Sequence, residues 1–539
     1  MSLSASSLGA DVSAPAAVAV SGTVQSSNTD PVRHITAGGD IFISGTLRGG
    51  DLGASRQGFD IEAPGHTVYI SGTVDSSGAT GQAGGAVTIV ADQIVVTGKV
   101  STAGGAGAQP GAAGPVTVKT TSAVWLAGTL DTSGGDATGG DNVTGAGAGD
   151  VTIAAGGDIS VAGTVRTRGG AGASSAANAQ GGAAGALDID CSGTLTWQGA
   201  LDGRGGLGTA KAAGGTVAGG AASTLTVGAT TPPKAINVLV PVAVTGGPGT
   251  AVGGDGGNAE LDAKGGDLVI ASKLDVSGGD SAGKPGKGGT ILGYPGPSSP
   301  TANLHVSGHV LANGGSVPAK SSNGSVANGG AGGLIKLVQQ SLTGNSTIDA
   351  TADIGVDGGQ SGGTGTAGAG GLLYLFTKQG NATVHGQLHA RGGDAPDSGG
   401  TGGGGGFVYV FTGDGHDRMS GILTIATDGV VDASGGNGTV GGSARNNGGA
   451  GVADWPSRQD DEFDVEQTAV LINSDGVHGS DRGWLANQGK VIARGGKSNG
   501  AGGDVQYHGR TQDGNETPAS GDVENAGDGT GKKGDFAGE

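Results

Sequence analysis

Residues 149–170 read GDVTIAAGGDISVAGTVRTRGG, and most of the chain repeats this unit. Within it, Val151-Thr-Ile153 and Ile159-Ser-Val161 alternate apolar with polar residues. Gly163-Thr-Val165 then leads to the doublet Gly169-Gly170. A period of two is that of a strand with one buried face. A glycine-rich stretch follows, and the pattern starts again.

Working outward, the units align on the first glycine of the doublet. These anchors are Gly49, Gly78, Gly104, Gly134, Gly169, Gly205, Gly246, Gly278, Gly314, Gly358, Gly392, Gly435 and Gly495. Leaving out the first unit, the residue four before the anchor is always aliphatic, from Val74 and Val100 to Val431 and Val491. Ten before it the residue is again apolar, as at Ile94, Ile159, Leu304, Ile348, Ile425 and Leu485. Six before it stands mostly glycine, including Gly72, Gly98, Gly128 and Gly163, which suits a tight bend with positive φ. An earlier run, such as Val116-Thr-Val118 or Leu187-Asp-Ile189, supplies a third strand.

Three strands per coil with ladders of like residues predict an all-β chain, a single-stranded parallel β-helix of about thirteen rungs with Gly-rich corner loops. Unequal strands and variable corners suit the right-handed form, and the six-residue period of the left-handed type is missing. The corner loops have two readings. They form a flexible fringe, or they pack side by side as extended strands in a second layer.

The divisions follow from the pattern. Residues 1–34 read as an N-terminal cap or flexible segment, and 35–451 as the β-helix. Residues 452–508 read as a last rung with an acidic, aromatic insertion or cap around Trp455 and Trp484. Residues 509–539 read as a disordered tail.

Composition sets limits. The chain has 539 residues, 124 of them glycine, without the every-third spacing of collagen. Aromatics are 3%, so a wide core is not expected and a thin aliphatic one is. The net charge of −19 argues against a nucleic-acid partner, which needs cations to neutralise phosphates. The single cysteine, Cys191, rules out an internal disulfide framework and reads as inert packing. No apolar run is long enough for a transmembrane helix. The N-terminus lacks the basic residue of an intact secretory signal.

Polar candidates gather beside the doublet. Asp75, Asp131, Arg166, Asp202, Asp275 and Asp432 stand three before an anchor, as does His389. Arg168, Arg204, Arg391 and Arg494 stand one before, as does Asp357. Asp131, Arg166 and Asp202 fall on consecutive rungs and predict a surface ladder of alternating charge. Such a row reads as exposed ion pairs worth little each, or as hydrogen-bonding groups for a polysaccharide or another copy of the chain. Asp136, Asp280 and Asp394 follow the doublet, with Asn437 equivalent. Calcium is the one cofactor they suit, and turn chemistry is the alternative. His305/His309 and His385/His389 are spaced by four, a spacing that pairs metal ligands on a helix but not in these strands. Motifs for nucleophilic, phosphate-binding or zinc chemistry are absent, so no catalytic residue is assigned.

The units GDVTIAAGGDISVAGTV and GGAVTIVADQIVVTGKV resemble coils of large bacterial surface β-helix proteins, the filamentous-haemagglutinin-like exoproteins and autotransporter passengers. The resemblance spans roughly residues 36–450 and carries no functional residues over. With the missing motifs, it leads to the expectation of a non-enzymatic structural or adhesive component. Its place would be extracellular or on the cell surface. A β-helix polysaccharide lyase or hydrolase is the second expectation, and a self-assembling filament or sheath subunit the third. A local carboxylate cluster in a cleft would favour the enzyme, and an even ladder the scaffold.

Overall fold

The computed structural model describes residues 1–539 except 5, 28–29, 31, 176–177, 211–214, 264, 297, 319–325, 397–398, 414–420, 445–467, 474–483, 502–503, 509–521, 525–535 and 539. The described chain is all β and its strand pairs run parallel, the pattern of a parallel β-solenoid. It divides into two units, Met1–Gly254 and Asp255–Glu539. No described helix is long and apolar enough to cross a membrane.

In the first unit the quoted stretch forms three strands, Val151–Ala155, Ile159–Val161 and Thr164–Arg166. Each pairs with its counterpart one repeat away: Val151 with Leu187, Ile159 with Leu195, Val165 with Leu201. The column four before the anchor is a true ladder, with Val74, Val100, Leu130, Val165, Leu201 and Val242 successive partners. Val151, Ile153, Ile159, Val161 and Val165 are buried. Each such aliphatic side chain stabilises by roughly 1.5–3 kcal/mol, but only because coils above and below cover it. Cys191 lies in the same core, where burial pushes its thiol up to about 12, in keeping with inert packing.

The bend glycines serve a different purpose from the one expected. Gly72, Gly98, Gly128 and Gly163 are not among the residues with positive φ. Instead, a Cβ on Gly163 would lie 1.8 Å from the Gly128 carbonyl oxygen, and one on Gly128 1.9 Å from that of Gly98. Each coil lies against the backbone of the previous one, and only hydrogen fits between.

Among the described residues the arms of the Gly-rich corners pack side by side, the second of the two readings. Each excursion has an outgoing and a returning arm, and arms of successive coils interleave. In the first unit Gly135 N donates to Gly111 O, Ala146 N to Gly135 O, Gly170 N to Ala146 O, Gly182 N to Gly170 O, and Gly206 N to Gly182 O, at 2.8–3.1 Å. A Cβ on Gly170, Gly182 or Gly206 would lie 2.0 Å from a carbonyl oxygen of a neighbouring arm. The backbone donors of these arms thus find acceptors in the next arm, and close approach explains the composition. Beyond the arms, Ala137–Thr138, Gly172–Ser174 and Gly208–Ala210 form one small three-stranded sheet, and Asn142–Thr144, Asn178–Gln180 and Val217–Ala218 another. Ala137, Val143, Ala179 and Val217 form a satellite core there.

The second unit repeats the plan. Leu274, Val310, Ile354, Leu388, Val431 and Val491 are successive partners in the third-strand ladder. Gly315, Gly330, Gly359, Gly368, Gly393 and Gly403 link the interleaved arms by successive N–H···O bonds of 2.8–2.9 Å. One alignment needs correction. Leu304 pairs with Ser346 rather than Ile348, and Ile425 pairs with Val384 rather than Ala382. The bends after Ile348 and Ile425 are two residues longer, closed by Ala352 N–Asp349 O and Gly429 N–Ala426 O bonds. Counting back from the anchor therefore slips by two. Side chains keep their face, because a slip of two preserves strand parity.

A polar ladder supports the second strand of this unit. Asp267 Oδ1 accepts from Asn303 N (2.7 Å), Asn303 Oδ1 from Asn345 N (2.9 Å), Asn345 Oδ1 from Asn381 N (2.9 Å), and Asn381 Oδ1 from Ile422 N (2.8 Å). Asn345→Ala is expected to cost about 1 kcal/mol, one solvent-accessible hydrogen bond, in chemical denaturation. Asn345→Asp keeps the acceptor and should lie closer to the parent. Equal stability of the two variants would remove the ladder from the account.

At the ends, residues 1–34 contain strands built on the same plan. Val18–Val20 pairs with Ile41–Ile43, and Thr23–Gln25 with Thr46–Arg48. Of 452–508, Thr468–Asn473, Trp484–Asn487 and Lys490–Ile492 pair with the preceding coil, while Trp455 lies outside the described residues. Of 509–539, Asp522–Glu524 and Phe536–Gly538 are described as strands, and the rest lies outside. Among the described residues the third-strand position is filled nine times in the first unit and seven in the second. The count of about thirteen is lower because the terminal coils lack the Gly-Gly doublet used to number rungs.

Candidate functional site

The third strand ends three residues before the doublet, where the chain turns out into the glycine arm. The corner holds an Asp at its first position for a local reason. Asp75, Asp131, Asp275 and Asp432 accept, through Oδ1, from the backbone N–H two residues on, those of Ser77, Ser133, Ser277 and Ser434, at 2.9–3.3 Å. This Asx-type turn sets the departure angle of the arm and leaves Oδ2 facing out.

The outward charges pair along other lines than expected. Asp131, Arg166 and Asp202 do stand in register. Yet Asp131 pairs with Lys99 (3.3 Å), and Asp202 with Arg204 through two bonds of 2.7 and 2.9 Å. Burial works to raise the Asp202 carboxyl, but the hydrogen bond and charge of Arg204, with Arg168 beyond, hold it low. Asp75 pairs with Arg48 (3.6 Å) and Asp275 with Lys273 (2.7 Å).

The calcium candidates each hold a backbone donor of the next coil. Asp136 Oδ1 accepts from Ala171 N, Asp280 Oδ1 from Ser316 N and Asp394 Oδ1 from Asn437 N, at 2.7–2.8 Å. They stand on separate coils, and among the described residues no group of three or more metal-ligating side chains converges. The His pairs also separate. His305 faces Asp349 (3.2 Å), His309 faces Asp353 (3.2 Å), and His385 faces Asp428 (2.8 Å).

Where third strand and glycine arm meet, each unit has a groove. The first unit's, of about 480 Å³, is lined by Asp131, Asp136, Arg166, Arg168 and Asp202 over a glycine floor. The second unit's, of about 680 Å³, is lined by Asp357, Asp394, Asp432, Arg391, Arg494 and Lys497. Asp75, Arg204, Asp275 and Asp280 line neither of these two grooves.

Beside the second groove lies a cluster that spacing alone did not assemble. His389 is 5% exposed and lies between two carboxylates of the preceding coil, Nε2 to Asp353 Oδ1 at 2.6 Å and Nδ1 to Asp357 Oδ1 at 2.8 Å. Arg391 closes on Asp357 Oδ2 through Nε and Nη2 at 3.1 and 2.9 Å. Gly355, the ladder partner of His389, makes room, since a Cβ there would lie 2.2 Å from the imidazole Cε1. Burial pulls the imidazole down, but its bonds to Asp353 and Asp357 outweigh that and push it up to about 9. The His389 hydrogen bond draws Asp353 down to about 2. Asp357 is also held low, with His389 and Arg391 overcoming its burial. The usable signal was Gly355, a glycine at an outward strand position beneath a histidine.

No protein-family model, curated protein or solved structure matches the chain.

Proposed function

We propose that the chain is a non-enzymatic structural or adhesive component of a bacterial cell surface or extracellular assembly, and that its grooves hold an extended neutral polysaccharide. The observation that carries this reading is recurrence. The same corner of the repeat, with Asp and Arg over a glycine floor, makes a groove in each unit. Three carboxylates face three cations in the second groove and two in the first, so neither attracts a polyanion. Paired donors and acceptors on a fixed backbone suit sugar hydroxyls, which both give and accept hydrogen bonds.

Three aspartates in the second groove are the observation that favours a polysaccharide-cleaving enzyme. Hydrolysis by a carboxyl pair requires one member kept protonated at working pH. Asp357, held low by its cationic neighbours, suits a binding role better.

Affinity electrophoresis in gels carrying a neutral β-glucan, a galactomannan or the polyanion alginate tests the reading. The parent chain should be retarded by a neutral polymer. The double variant Arg168→Ala, Arg494→Ala should bind about tenfold more weakly, the scale of a lost charge-assisted hydrogen bond. Retardation by alginate alone, or new reducing ends in the neutral polymers, would overturn it.

A further inference from the structure

Arg391 stands one before its doublet and lines the second groove, with its side chain 42% exposed. Asp357 beside it is saturated. Its Oδ1 accepts from His389 Nδ1 (2.8 Å) and Arg391 N (2.7 Å), and its Oδ2 from Arg391 Nε (3.1 Å) and Nη2 (2.9 Å). A carboxylate takes about four such bonds, so Asp357 has none left for a ligand. The clamp occupies only the Nε side of the guanidinium. The group is planar, so Nη1 and the second N–H of Nη2 point away from Asp357, and among the described residues neither has an acceptor. The first unit repeats the device with a different partner. Arg204, also one before its doublet, is held through Nε and Nη2 by Asp202 of its own strand, at 2.7 and 2.9 Å. Two aspartates from different places thus leave the same edge of an arginine outward at the same corner. Two other carboxylates of the second groove are half engaged. Asp394 Oδ1 accepts from Asn437 N, and Asp432 Oδ1 from Ser434 N and Oγ, which leaves both Oδ2 atoms without a partner among the described residues.

We infer that Arg391 is the specificity-determining residue of the second groove, and that it selects sugars with free hydroxyls on two adjacent ring carbons. The inference rests on the proposed function and names the ligand class of the same site. The outward edge of the guanidinium offers two parallel N–H donors, a fork that fits two oxygens set side by side. A carboxylate is the common partner of such a fork. Here Asp394 and Asp432 line the same groove, and like charge opposes a further anion. Two adjacent hydroxyls present the same pair of oxygens without the charge. Their protons then find acceptors in the same groove, at the Oδ2 atoms of Asp394 and Asp432. An arginine clamped in advance loses little side-chain freedom on binding, so the fork can discriminate by geometry. A polymer whose linkages interrupt every adjacent pair leaves one of the two donors unmatched. Asp357 acts through Arg391 and is a positioning residue.

The test is affinity electrophoresis of the full chain in three gels. One carries galactomannan, whose rings have adjacent hydroxyls. The second carries the same polymer after periodate cleavage of those pairs and borohydride reduction. The third carries a linear β-1,3-glucan, whose linkages separate its ring hydroxyls. Every protein tested carries Arg168→Ala, so that the first groove contributes little. With no other change the chain should bind intact galactomannan about tenfold more tightly than the other two, the scale of one charge-assisted hydrogen bond. Arg391→Lys keeps the charge but removes the fork, and should bring the three gels level. Asp357→Asn loosens the clamp and should reduce the preference while retardation persists. The quantity read is the ratio between gels, which a general loss of stability does not imitate, and hydrogen exchange around Arg391 checks that each variant is folded. Equal binding to galactomannan and the β-1,3-glucan would overturn the inference and leave the proposed function standing. So would full binding to the oxidised polymer, or a preference that Arg391→Lys leaves unchanged. Retardation in none of the gels would overturn both.

Discussion

Gly128→Ala is expected to destabilise the first unit by about 3 kcal/mol, the upper end of the usual cost of overpacking. The added Cβ would sit 1.9 Å from the Gly98 carbonyl oxygen. That oxygen already accepts from Thr129 N at 2.9 Å, and Gly128 N itself donates to Val96 O at 2.9 Å. The second and third strands of one coil are thus fixed to the next within a few residues of the clash. A backbone oxygen cannot rotate away as a side chain does, so one coil must lift off the other. In a stack of repeats the damage spreads to neighbours before it spreads to the whole. Hydrogen exchange should therefore speed up first around residues 94–100 and 124–131. Gly53→Ala is the control. Gly53 has φ +85° and open space around its missing Cβ, so the change brings only the left-handed strain of about 1–2 kcal/mol. Equal melting of Gly128→Ala and the parent would refute the stacking account of the bend glycines.

His389→Leu should cost the second unit on the order of 3 kcal/mol near pH 6, because it leaves Asp353 and Asp357 without their shared cation. The pH dependence has a definite sign. An imidazole raised from its ordinary 6.5 to about 9 gives stability that is complete below 6.5 and lost as pH rises through 9. A carboxyl lowered from 3.8 to about 2 gives stability present above 3.8 and lost as pH falls through 2. The parent should hold a plateau between about pH 4 and 6.5 and weaken on both sides. His389→Leu should lose the alkaline limb. Gly355→Ala, which pushes on the ring from below, should lower the titration midpoint of His389 read from its NMR resonance. A midpoint for the parent near 6.5 would overturn the assignment.

Much of the fold was legible because a solenoid writes its contacts into its period. Val165 meets Leu130 and Leu201 in space, and the same residues align when the repeats are written beneath one another. The slips at Ile348 and Ile425 came from counting across a bend of variable length. The candidate site was legible only as a list. Its position three before the doublet marked Asp131, Asp202 and Asp432, but their partners lie diagonally or along their own strand, so spacing could not name Lys99 or Arg204. The His389 cluster required knowing that its ring turns back onto the preceding coil, whereas His309 and His385 reach forward.

The sequence by itself determined the class, the strand register over most coils and the inward face, since strand parity and ladder pairing are periodic and local. Only the tertiary structure decided why the glycines are there. Their crowding arises between residues about one coil apart, such as Gly170 against Gly135, where one backbone meets another. It also decided the order of the glycine arms and the burial of His389. Each depends on which neighbour covers a given face, and no single coil carries that information.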